Sequence, residues 1–142
     1  MKYTITLSIL LFSLIITSCK ETKKTIEAPT NEISSGKYEI ISLNGSELAR
    51  KLNFTLETSE SKISGKTDCN SYFGAFAATN QSEIKIGPLA STEMYCEENV
   101  MKVETDLFKA YNNAKTYSFD KNMLTLFNED GALLIRAYKL SK

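Results

Sequence analysis

Histidine is absent from all 142 residues. That removes Ser-His-Asp and Cys-His catalysis and imidazole metal ligation together, because each needs a ring nitrogen that titrates near neutrality. Net charge is absent too: 17 basic residues balance 17 acidic ones. Nucleic acid is therefore not an expected partner, since phosphate binding asks for a clustered positive field. A long hydrophobic run is the third absence. The most apolar stretch, Ile5 to Ile16, is shorter than the roughly 20 residues a bilayer-spanning helix needs. What remains is ordinary: 42% hydrophobic and 24% charged residues, in keeping with one soluble domain rather than a disordered chain.

The short apolar run follows Lys2 and has the length of a signal-peptide hydrophobic region. Directly after it, Ile16-Thr17-Ser18-Cys19 resembles a bacterial lipobox: an aliphatic residue, two small residues, then the cysteine to be acylated. The competing reading is an ordinary secretory signal with a coincidental cysteine; the position of Cys19 favours lipidation. The expected organisation is a cleaved leader at 1–18, a flexible tether with lipidated Cys19 over 19–36, and a domain over 37–142. Two or more acyl chains anchor stably where one does not. A membrane reached through the N-terminal lipid is thus an expected partner. The expected location is the cell envelope, on the outer membrane, with the leaflet open.

Setting Cys19 aside leaves Cys69 and Cys96. An even remainder in an exported domain suggests a disulfide. Two buried free thiols are the alternative. Without histidine the pair makes a poor zinc site, and neither cysteine has a neighbouring base that would mark a nucleophile.

Along the domain, apolar and polar residues alternate as in half-buried strands. Tyr38–Leu43 ends at the turn dipeptide Asn44-Gly45, and Leu52, Phe54 and Leu56 share one face of the next strand. Further strands are expected at Lys62–Lys66, Tyr72–Ala78 and Ser82–Ile86, the last ended by Gly87-Pro88. Three more, at Thr116–Phe119, Met123–Phe127 and Ala132–Tyr138, close the chain. One segment keeps a helical period: from 97 to 112, Val100, Val103, Leu107, Phe108 and Tyr111 share a face, with Glu97 and Glu98 at the start and Lys109 near the end. The expected fold class is α+β, mainly β: a small antiparallel barrel or half-barrel of seven or eight short strands, closed by that helix.

Glu104 is the residue that stands out. At 100° per residue it points within about 40° of Val100 and about 20° of Tyr111, inside the apolar stripe. A buried carboxylate is costly unless hydrogen-bonded or paired. It is either held by a structural partner, the backbone N–H groups of the Cys69-Asn70 turn or Arg136, or it is a general acid.

The segment Ile63-Ser64-Gly65-Lys66-Thr67-Asp68-Cys69-Asn70-Ser71-Tyr72-Phe73-Gly74 resembles the first signature of the META/HslJ domain family, and Ile84 to Cys96 resembles its second. Glu104 matches the glutamate that follows on the family helix. The resemblance runs collinearly from Gly36 to Tyr138, with one departure: Tyr38 stands where the family usually has tryptophan. It implies a compact β-barrel-like domain with one helix, similar to pilot lipoproteins that escort secretins. Members are often envelope lipoproteins, some linked to heat shock or antibiotic resistance, and no enzymatic activity defines the family. The family-motif residues are Gly65, Asn70, Gly74, Thr92, Met94 and Glu104. Gly65 and Gly74 would permit close backbone approach or a bulge, Asn70 would satisfy loop backbone groups, and Thr92 would bond the backbone leading into the helix.

The function expected is that of a lipid-anchored, non-enzymatic envelope module for binding or accessory work in envelope stress or assembly. Its partner would be an envelope protein or a small hydrophobic ligand. No cofactor or metal is expected. Two alternatives stand beside it: an inhibitor or stability module for other envelope proteins, and an envelope glycan hydrolase using Glu104.

Overall fold

The computed structural model describes residues 32–141. The leader at 1–18, Cys19 and the tether as far as residue 31 lie outside the described residues. In chain order the elements are β1 (Gly36–Leu43), β2 (Ser46–Glu57), β3 (Lys62–Lys66), β4 (Ser71–Ala78), β5 (Ile84–Ser91), α1 (Glu98–Asn113), β6 (Thr116–Asp120), β7 (Met123–Phe127) and β8 (Leu133–Lys139). All eight strands pair antiparallel in one sheet, ordered β5-β4-β3-β2-β1-β8-β7-β6. The first and last strands in sequence thus meet at its centre. The sheet curls until its two edges touch at one corner, where Glu83 bridges Thr116, Ile84 N–H donates to Lys115 O at 2.9 Å and Tyr117 N–H to Ser82 O at 2.8 Å. The chain therefore forms the expected half-barrel, with α1 lying against β5, β1 and β8.

Alternation decides what faces inward. Tyr38 and Ile40 on β1, Leu52, Phe54 and Leu56 on β2, Ile63 on β3, Tyr72 and Phe76 on β4, and Ile135 and Ala137 on β8 are all buried. From α1 come Leu107, Ala110 and Tyr111. Val103 and Phe108 only flank the core. The buried stripe is therefore centred on Glu104, Leu107 and Tyr111, rotated from the one expected through Val100 and Val103. Lys109 also falls short of the helix's last turn, which holds no basic residue.

Aromatic rings link the layers. Tyr38 stacks on Phe54 with centroids 5.2 Å apart, and Phe54 meets Tyr111 edge-on at 5.9 Å. Tyr38 occupies the position where the family usually carries tryptophan and is fully buried. Its hydroxyl donates to Ser34 O at 2.6 Å.

Two boundaries differ from expectation. The tether was expected to run to residue 36, but Ile33 is buried in the core, Ser34 accepts from Tyr38, and the Ser35 hydroxyl accepts from Thr58 N–H at 2.9 Å. Ile33 has apolar area to bury although its neighbours are polar, and it takes the chain with it. Gly87-Pro88, expected to end a strand, instead lies inside β5. Proline is tolerated there because β5 is an edge strand that need not donate a second ladder of hydrogen bonds.

Between helix and sheet, the Tyr72 and Tyr111 hydroxyls pair at 3.1 Å. Replacing Tyr111 alone by Phe leaves the Tyr72 hydroxyl buried without this partner and should cost about 1–3 kcal/mol, whereas the Tyr72→Phe/Tyr111→Phe double variant should recover most of that loss. Urea denaturation of the four proteins checks it; a strictly additive cycle would contradict the pairing. Burial pushes the Tyr72 hydroxyl from its ordinary 10.0 up to about 12, and burial also holds Tyr111 well above 10.0. In the unfolded chain both ionise near the ordinary value. Their contribution is therefore fully present below pH 10.0 and is lost as pH rises from there through about 12. The double variant should show a shallower alkaline decline in melting temperature.

Candidate functional site

The turn joining β3 to β4 is Thr67-Asp68-Cys69-Asn70. Thr67 N–H donates to Asn70 O at 2.7 Å. The Thr67 hydroxyl accepts from the N–H groups of Cys69 at 3.1 Å and Asn70 at 2.7 Å. A hydroxyl has two lone pairs and one proton. With both lone pairs engaged, its proton goes to Glu104 Oε2, 2.6 Å away on α1. Asn70 O, at 3.1 Å, is the poorer acceptor.

Asn70 is 1% exposed and uses its whole amide. Oδ1 accepts from Met94 N–H at 2.8 Å and from the Thr92 hydroxyl at 2.7 Å. Nδ2 donates to Met94 O at 3.2 Å and to Glu104 Oε1 at 2.9 Å. Met94 N–H can only donate, which fixes the orientation of the amide. The side chain thus pairs with both backbone polar groups of Met94, as a neighbouring strand would.

Glu104 is the one buried charged side chain among the described residues. Both its oxygens act as acceptors, the part of a carboxylate and not of a proton-donating acid. Its partners differ from those expected. The backbone N–H groups of Cys69 and Asn70 are engaged by the Thr67 hydroxyl, and Arg136 faces outward on β8, exposed. Two side chains, Thr67 and Asn70, do the work instead. Among the described residues no second carboxylate enters this network.

The other motif residues surround this network. Thr92 bonds Asn70 and accepts from Ser71 N–H at 3.2 Å, so it braces the turn and not the backbone leading into the helix. Cys69 and Cys96 are joined, with Cα atoms 6.0 Å apart and a sequence separation of 27. Cys69 Sγ also lies 3.3 Å from Met94 O; this is a contact and not a hydrogen bond, because a disulfide sulfur has no proton. A side chain at Gly65 would overlap the Tyr72 ring and hydroxyl, and one at Gly74 would strike Pro88 O at 2.7 Å. Both glycines therefore admit close neighbours. Met94 and Tyr95, whose loop is fixed by Asn70 on one side and the disulfide on the other, are 58% and 92% exposed.

Among the described residues there is no group of three or more potential metal ligands, and no helix is long and apolar enough to cross a membrane.

The META domain profile matches residues 31–139. The chain belongs to the META domain family. The match begins within two residues of Ile33, the first buried side chain among the described residues, which agrees with the earlier start of the domain. A search of curated proteins gives no match. Among solved structures, the META domain is similar to a protein from Burkholderia xenovorans determined by NMR, with a TM-score of 0.59 and 17% identity over 75% of this chain and 83% of that one. It is also similar to the crystal structure of a DUF4847 family protein from Bacteroides vulgatus ATCC 8482, with a TM-score of 0.57 and 14% identity over 76% of this chain and 94% of that one. These likenesses concern the fold alone.

Thr67 is the network member that sequence reasoning passed over. A signal existed: a threonine three residues before an asparagine, between two expected strands, is a hydroxyl placed to accept turn N–H groups.

Glu104→Gln sets an amide donor against the donor of Thr67 or Asn70 and should cost about 1–3 kcal/mol. Asn70→Asp sets a carboxylate against Glu104 and Met94 O and should destabilise more than Asn70→Ala; the reverse order in urea midpoints would refute the network as drawn. Reduction of the Cys69–Cys96 bridge should lower stability by about 3.5 kcal/mol if chain entropy governs it, read as a fall in melting temperature with dithiothreitol.

Proposed function

We propose that this protein is a lipid-anchored envelope lipoprotein whose META domain is a binding or accessory module and not an enzyme. The arrangement of Glu104 carries the non-enzymatic half of this reading. The buried carboxylate that could serve as a general acid is committed on both oxygens to holding the Thr67–Asn70 turn. What that network holds in place is an exposed loop bearing Met94 and Tyr95. A fixed backbone presenting large side chains to solvent lowers the ordering cost of association. The anchoring half rests on Lys2, the short apolar run and Ile16-Thr17-Ser18-Cys19.

Mass spectrometry of the native, membrane-extracted protein should show loss of residues 1–18 and acyl chains on Cys19. Cys19→Ala should release the protein from membranes. A full-length, unmodified mass would defeat the anchoring claim. For the binding claim, a photo-crosslinker at Tyr95 in intact cells should trap a discrete adduct that Asn70→Ala abolishes; an identical pattern in both would count against the loop.

A further inference from the structure

We infer that the outer face of β1–β4 is a binding site for an anionic saccharide, distinct from the Met94–Tyr95 loop. On this face the sheet forms a depression of about 1000 Å³. Register, not sequence proximity, assembles it. Lys37 is opposite Thr55, Thr55 is opposite Ser64, and Ser64 is opposite Phe73, so four strands contribute one row. In the adjacent row Glu39 is opposite Asn53, and Asn53 is opposite Lys66.

The chemistry is of three kinds. Lys37, Lys51, Lys62 and Lys66 line the depression with Asp68, and Glu39 and Glu57 stand at its border on the same face. Asp68 is taken by Arg50 at 3.6 Å and Lys51 by Glu39 at 3.0 Å, while Lys37, Lys62 and Lys66 have no ion pair among the described residues. Net neutrality of the chain hides this local excess, which favours an anion. The floor is short and polar, made by Asn53, Thr55 and Ser64. Asn53 Oδ1 is buried there without a hydrogen-bond partner among the described residues. An unpaired buried acceptor is costly, and rotation of this half-buried side chain toward the depression would let a ligand hydroxyl supply the missing donor. At the far end of the row Phe73 is 58% exposed, an apolar surface the fold itself does not use.

Negative charge, hydroxyl donors and an apolar ring face occur together in a sugar that carries carboxylate or phosphate. A simple polyanion offers the charge alone, and a neutral glycan lacks it. With neighbouring strands about 4.8 Å apart, the row from Lys37 to Phe73 spans about 14 Å, room for a short oligosaccharide. The inference rests on reading the domain as a binding module and is independent of the lipid anchor.

The test is calorimetric titration of the mature, full-length protein with a uronate hexasaccharide, maltohexaose, inorganic polyphosphate and a thymidine oligonucleotide. The uronate should bind, should weaken with added salt, and should bind at least about tenfold tighter than each of the other three. Lys62→Ala/Lys66→Ala should lower uronate affinity about tenfold or more, and Phe73→Ser and Asn53→Ala about threefold or more. Asn53→Ala should leave the melting temperature unchanged or raised, because the atom it deletes has no donor. Equal binding of polyphosphate with indifference to Phe73→Ser would reduce the face to a cationic patch and overturn the site. Equal oligonucleotide binding would assign it to another ligand, and absence of uronate binding would also overturn it. Either failure, with Cys19→Ala still releasing the protein from membranes, removes the saccharide site and leaves the anchored lipoprotein standing.

Discussion

A carboxylate taken out of water must recover its hydrogen bonds inside the protein, and that requirement on Glu104 organises this domain. Its two oxygens face a hydroxyl and an amide from one turn, 37 and 34 positions away in sequence. Both donors are oriented by their other bonds, and the Thr67 hydroxyl has only the longer contact to Asn70 O as an alternative. Thr67 has filled its lone pairs with turn N–H groups, and Asn70 has committed its remaining capacity to Met94 and Thr92. The β3–β4 turn is thereby coupled to the loop before α1 and to α1 itself, both distant from it in sequence. Such networks act as units, because losing one member leaves the others buried and unpaired. The disulfide adds a covalent tie between two of the same three segments.

Much of this was legible from residue order, and the gaps have physical causes. Period-two alternation exposes a strand wherever one face is buried and the other wet, so the strands from Tyr38 to Tyr138 could be placed. Helical period put Glu104 among apolar neighbours, which is all that periodicity can say. It names a face and not the partner, and the partner here is a turn hydroxyl brought up by sheet closure. Ile33 was hidden because its immediate neighbours are polar and set no period around it. Gly87-Pro88 misled because the breaker rule assumes a strand with two neighbours. The lysines of the outer face span residues 37 to 66 and have no spacing signature; only the register across β1, β2 and β3 brings them together.

The two faces of the sheet divide the labour. Inward positions hold the aromatic cluster and the helix, where volume changes are felt throughout a densely packed interior. Outward positions between them carry Lys37, Asn53, Thr55, Ser64, Lys66 and Phe73, none of which belongs to the buried core. A META domain built this way can change what its outer face contacts while leaving its interior alone. Fold likeness at 14–18% identity therefore carries architecture between such proteins without carrying a ligand.

The early start of the domain has a mechanical side. Ile33 and Ser34 are secured to the body of the protein just before β1, and β1 is bonded along both flanks, to β2 and to β8. Tension arriving from the N-terminal direction enters the middle of the sheet and not an edge. It meets a strand held on both sides, so β1 can leave the sheet only when two ladders break and not one.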